Sequence, residues 1–279
     1  MISIMLAVFS SACSVGQSAF TKIASGKGKN SSSMSFNALK VGSGLAFFVL
    51  ISVYNMQFHL PTVFFASAYG LALFFSTLFG YKALMSGSMA LTSLIVSYSV
   101  IIPCLFGIIF LHEVVGIARI FGFVLLLISM YLLKAKSDNV QAGKNWLFYV
   151  AITFICNGIC SVIQKLHQTM YPSSYCKEFM ICSLLVTFIL FLITSMMRHE
   201  KTETSLIKFG VVAGISMGLY NFLTLYLSAK MNATILFPLV SIFSMVFNIA
   251  VSKLYFKDKF SKTQLFGIGL GLISVLLIK

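Results

Sequence analysis

Acidic side chains are nearly missing from this sequence: six Asp and Glu stand among 279 residues, against 20 Lys and Arg. Charge of either sign is scarce, at 9% of residues where a soluble domain carries about 25%. With 59% apolar residues there is too little polar surface to cover a water-facing globule, so most of the exterior has to face lipid. That excludes a soluble enzyme, a disordered protein and a DNA-binding module. The basic residues are dispersed between apolar runs and not gathered on one face, so no nucleic-acid partner is expected. Metal-binding cysteine patterns are missing too. Cys13, Cys104, Cys156, Cys160, Cys176 and Cys182 sit in or beside apolar runs, without a second Cys-x-x-Cys pair or a His partner. No zinc site, disulfide framework or other cofactor is expected, and the cysteines read as small hydrophobes. Alternating strand patterns are absent, and no loop could hold a folded extramembrane domain.

What is present is a series of ten apolar runs near the ~20 residues that cross a bilayer. They fall at roughly 2–22, 36–54, 62–84, 89–111, 115–133, 146–167, 176–197, 206–229, 233–254 and 263–278. The fold class expected is an all-α polytopic membrane protein with ten transmembrane helices. The first run starts without a basic leader or cleavage site, so it reads as a membrane helix and not a signal peptide. Gly26 to Ser33 has the composition of a flexible linker, and Lys134 to Asn145 forms a polar break near the middle.

That break divides a repeat. Glu113 to Leu133 aligns with Asp258 to Ile278, pairing Phe121 with Phe266, Gly122 with Gly267, Leu125 with Leu270, Ser129 with Ser274 and the acids Glu113 with Asp258. At the same spacing Tyr81 meets Tyr226 and Ser99 meets Ser244. The units expected are 1–137 and 138–279, with five helices each. Five is odd, so the second unit enters from the opposite face and the two are inverted repeats, a symmetry that gives alternating access a structural basis.

On these residues the chain resembles the drug/metabolite transporter superfamily, specifically its EamA-like ten-helix carriers. The features that carry the likeness are Glu113 followed by Arg119-Ile120-Phe121-Gly122, Asp258 followed by Gln264-Leu265-Phe266-Gly267, and Lys22 at the end of the first helix, echoed by Lys165. The resemblance spans essentially the whole chain. It implies secondary transport of small metabolites, often amino acids or related compounds, commonly outward.

Polar side chains inside apolar helices mark the candidate binding site. Ser10, Ser14, Gln17 and Thr21 share one face of the first helix, and Thr153, Asn157, Cys160 and Gln164 form a matching stripe on the sixth. Amides in hydrocarbon need partners, so these stripes are expected to line a central cavity or to join helices. Ser14, Gln17, Tyr81, Asn157, Gln164, Asn221, Tyr226, Ser241 and Asn248 are the substrate-binding candidates. Pro238 in the ninth helix and Pro103 in the fourth each remove a backbone donor, and so either free carbonyls for a substrate or only kink the helix. Gly210, Gly214 and Gly218 read as a packing face. Lys22 and Lys165 either snorkel to the interface or meet an anionic group of the substrate. The fifth and tenth helices carry almost no polar stripe and should face lipid or a partner subunit, where a homodimer would pair.

All six acids fall at helix ends or in loops, so no carboxylate is placed to hold a cation mid-membrane. A neutral or zwitterionic cargo fits better than a cationic drug. The competing readings are an intramembrane enzyme, a channel and a structural membrane protein. The first lacks a recognisable dyad or ligand set, and the second lacks a charge ring or filter loop. All basic residues except Arg119, Lys165, Lys177, Lys230 and Lys279 sort to the side of the first, third, fifth, seventh and ninth loops. The positive-inside rule puts that side in the cytoplasm of a cell membrane and both termini outside, against the family habit of termini inside.

Overall fold

In the computed structural model the described residues are 2–27, 33–52, 57, 59–113, 116–133, 145–200, 203–257 and 261–278. Asp258, the linker residues 28–32 and the mid-chain break at 134–144 lie outside them. Among the described residues there is no strand. The helices are α1 (Ile2–Lys27), α2 (Ser33–Ser52), α3 (Leu60–Ser86), α4 (Met89–Ser97), α5 (Ile101–Phe110), α6 (Ile117–Leu133), α7 (Trp146–Met170), α8 (Cys176–Met197), α9 (Thr204–Ser228), α10 (Ala233–Leu254) and α11 (Lys262–Ile278).

The run read as one helix at 89–111 is therefore two, joined by a 3-10 turn at Tyr98–Val100. Pro103 lacks the N–H that would bond back to Ser99, which weakens the helix at that turn. Pro238, by contrast, sits inside an uninterrupted α10. Counting α4 and α5 together, eight helical spans are long and apolar enough to cross a membrane. α6 and α11 have 17 residues each, about 25 Å of helix, and fall just short of that length.

The helices pack in a regular scheme. α3 lies on α7 and α8, α9 lies on α1 and α2, α2 touches α8, and α10 touches α1, α4 and α5. One apolar core joins α2, α3, α7, α8 and α9 around Phe74, Phe179, Leu184 and Phe191. A second joins α4, α5 and α10 around Leu94, Tyr98, Phe237 and Met245. The outer surface is apolar as well, with Leu50, Phe64, Ile109, Met197 and Leu254 exposed. Such a surface is stable only against lipid.

α6 and α11 pair with each other at the edge of the bundle, exposing Ile117, Phe121, Leu265 and Phe266. Their shared face does hold polar groups. Ser129 donates to the Gly267 carbonyl of α11 at 2.6 Å and shares a hydrogen bond of the same length with Tyr98 Oη. The pair is thereby tied to the 3-10 turn of the fourth span.

α2 and α9 make the closest approach. A Cβ on Gly214 would lie 1.9 Å from the Lys40 carbonyl oxygen, and one on Gly44 would lie 2.8 Å from the Gly214 carbonyl oxygen. Gly210 and Gly218 meet Leu39 and Phe48 in the same way. The three glycines of α9 are a packing face, and they fix how deeply α2 sits in the bundle.

Candidate functional site

The facing sides of α1, α2, α3, α4, α7, α9 and α10 line a partly open cavity of about 160 Å³. That is far more than the roughly 10–15 Å³ one water needs. Spacings of three and four residues on α1 bring Ser14, Gln17, Ser18 and Thr21 to its wall. α3 contributes Ser76, Thr77 and Tyr81, α4 contributes Thr92, Ser93 and Ser97, and α7 contributes Thr153 and Asn157. α9 adds Tyr220 and Asn221, and α10 adds Ser241, Ser244 and Asn248.

Seven of the nine candidates meet there: Ser14, Gln17, Tyr81, Asn157, Asn221, Ser241 and Asn248. Asn157 Nδ2 donates to Ser99 Oγ at 2.8 Å, which binds α7 to the 3-10 turn. Gln17 makes no hydrogen bond among the described residues, so its amide is available to a solute. Gln164 and Tyr226 lie outside the lining. Gln164 Nε2 donates to Tyr69 Oη at 3.1 Å and to the Asn221 carbonyl at 3.4 Å, sealing the bundle beside the cavity. Tyr226 accepts from Lys230, which lies just past the end of α9 and whose ammonium is 4.2 Å from the ring centre.

Lys22 and Lys165 are taken up by the backbone. Lys22 Nζ donates to the Leu84 and Gly87 carbonyls at the end of α3, the latter at 2.6 Å. Lys165 Nζ donates to the Ser228 and Met231 carbonyls at the end of α9, at 3.3 and 2.9 Å. A helix C-terminus leaves carbonyls unpaired and carries partial negative charge, so each lysine neutralises one helix end. Glu113 does the converse at the start of α10, accepting from the Ala233 and Thr234 N–H groups at 2.9 and 3.0 Å. The matching acid Asp258 lies outside the described residues.

Sequence reasoning missed Lys40. It was counted among the charges of the first loop, but α2 begins at Ser33 and carries it into the bundle, where it is 2% exposed and lines the cavity. A lysine near the start of an apolar run looks interfacial. The available signal was its distance from the preceding linker, two helical turns.

The fold defines a class first: a multi-pass helical membrane protein with a polar cavity between its helices. The EamA-like transporter family matches residues 144–279. Over that stretch, just under half of the chain, the sequence is similar to a family of membrane transporters. A solved crystal structure of a protein aligns over 99% of this chain and 95% of its own, with a TM-score of 0.70 and 14% identity. At that identity the likeness carries the fold alone. No curated protein matches.

Proposed function

We propose that this chain is a secondary transporter that moves a small neutral or zwitterionic metabolite by alternating access. Ten helices, α4 and α5 counted as one, form two inverted five-helix repeats over 1–137 and 138–279. One observation carries the reading: a polar cavity at the centre of an apolar bundle, walled by helices from both halves. A structural membrane protein has no use for such a cavity, whose lining costs free energy unless a solute or water occupies it.

The packing scheme supports the repeat. Exchanging α1, α2, α3, α4–α5 and α6 for α7, α8, α9, α10 and α11 maps the main contacts of the scheme onto one another. The α1–α9 contact becomes α7–α3, α2–α9 becomes α8–α3, and α1–α10 becomes α7 with α4 and α5. Lys22 and Lys165 exchange places on matching helix ends. Two halves of like structure facing opposite ways can trade conformations, which opens the cavity to each side in turn. The basic loops are cytoplasmic on this reading, both termini are outside, and net flux of a cytoplasmic metabolite is outward. A second copy would pair through the exposed faces of α6 and α11.

Counterflow in proteoliposomes tests the function. A carrier exchanges labelled solute inside for unlabelled solute outside with saturation. Flux that rises linearly with concentration and shows no exchange would mean a channel.

A further inference from the structure

We infer that Lys40 is the anchor for a carboxylate of the transported solute. This rests on the transporter reading above and narrows its cargo to a small acid or zwitterion.

The observations begin with burial. Lys40 is 2% exposed in an apolar bundle, and its ammonium forms no hydrogen bond or ion pair among the described residues. It is also the one charged side chain in the described lining of the cavity, which contains no Asp or Glu. An ammonium this deep in an apolar bundle, with no partner among the described residues and only the cavity beside it, is costly to hold, and an anion in the cavity would offset that cost. The cavity that Lys40 borders can admit such an anion.

Three neighbours in the same lining are in a similar condition. Thr21 Oγ1, Tyr81 Oη and Asn248 Oδ1 are buried polar atoms without hydrogen-bond partners. Native interiors rarely leave such groups unsatisfied, and here three share one cavity with an unpaired cation. The two hydroxyls can donate to an anionic oxygen beside the ammonium. Asn248 Oδ1 can only accept, so it fits a hydroxyl or amino hydrogen on the remainder of the solute.

Depth agrees. Lys40 follows the start of α2 by seven residues, about 10 Å of rise, and Thr21 precedes the end of α1 by six, about 9 Å. Tyr81 lies five residues, about 7 Å, before the end of α3. These helix ends belong to one face of the bundle, so the three groups sit at one level beneath it.

A structural lysine looks different in this protein. Lys22 and Lys165 spend their protons on helix-end carbonyls. Lys40 spends none, and Ser183, which stands to Lys40 as Lys165 stands to Lys22, donates its hydroxyl only to the Met180 carbonyl of its own helix. One lysine with hydroxyl donors suits a single negative charge, and a phosphate dianion would call for more cations.

The test uses the full chain in nanodiscs, with thermal melts against small hydroxy, keto and amino acids, each paired with its uncharged-carboxyl amide. Acids are expected to raise the wild-type melting temperature and amides are not. Lys40→Met should melt higher than wild type without solute, because an unpaired buried cation is gone, and should lose the acid response, with affinity down about 10- to 100-fold. Lys40→Arg should keep part of that response. Amides that act as well as acids, no acid that acts, or a Lys40→Met that keeps the acid response would each overturn the inference. So would a Lys40→Met that melts lower than wild type, since that is the mark of a structural lysine. Saturable exchange of amides without preference for acids would sink the anchor and leave the transporter standing. An acid response without exchange of any solute would keep the anchor and count against transport.

Discussion

Glu113 and Lys165 stand 4.0 Å apart and grip the same connection from its two ends. The carboxylate holds the first amides of α10, and the ammonium holds the last carbonyls of α9. Both side chains are about nine-tenths buried, so water screens them little. The short turn between α9 and α10 is thereby fixed from both sides.

Removing that charge should show in stability. Glu113→Gln keeps the shape but trades two charge-assisted hydrogen bonds for at most one neutral acceptor, and leaves Lys165 without a counter-charge. A loss of about 1.5–3 kcal/mol is expected, read as a lower melting temperature. Lys165→Met should lose a similar amount, and the double variant should lose less than the two together. Strict additivity would show that the two groups do not act on one another.

Two glycines should respond in opposite directions. Gly214→Ala drives a Cβ into the Lys40 carbonyl, a backbone atom that cannot swing aside, so at least about 1–3 kcal/mol and much of the folded yield should go. A Cβ on Gly269 in α11 meets nothing within 4 Å, so Gly269→Ala should be neutral or stabilising by up to about 1 kcal/mol. Equal melting temperatures for the two variants would refute the close α2–α9 contact.

Loss of the cavity amides should separate transport from folding. Gln17→Ala with Asn157→Ala is expected to insert normally and to slow counterflow by about tenfold or more, since each amide offers a solute roughly one hydrogen bond. Unchanged exchange in that variant would remove both residues from the site.

Sidedness can be read at Lys27, the last residue of α1. With the six native cysteines replaced, a cysteine at that position should resist a membrane-impermeant thiol reagent in intact cells and react once the membrane is opened. Labelling from outside would reverse the assigned orientation. Lys40 no longer counts as a loop charge, but the remaining basic residues of those loops keep the bias.

Helix was legible throughout because long apolar runs leave few other options in lipid. The α1 stripe was legible for a related reason: polar groups at three- and four-residue steps can share only one face, and Ser14, Gln17 and Thr21 do line the cavity. Other details depended on neighbours that a single helix does not reveal. Tyr226 matches Tyr81 in sequence, yet Lys230 one turn away claims its hydroxyl. Gln164 continues the α7 stripe, yet Tyr69 of α3 takes its amide. The break at Tyr98–Val100 was announced only by Pro103, and Pro238, equally visible, left α10 whole. Lys40 was hidden because its burial comes from the glycine face of α9, a different helix far along the chain.

The Gly214 contact separates two things that proteins usually tie together. α2 is seated through the main-chain oxygen of residue 40, while the side chain at that position borders the cavity. The backbone at residue 40 thus serves the scaffold while its side chain serves the cavity. Bundles built on this plan could be retuned from one cargo to another by exchanging a single side chain, with the machinery around it left as it stands.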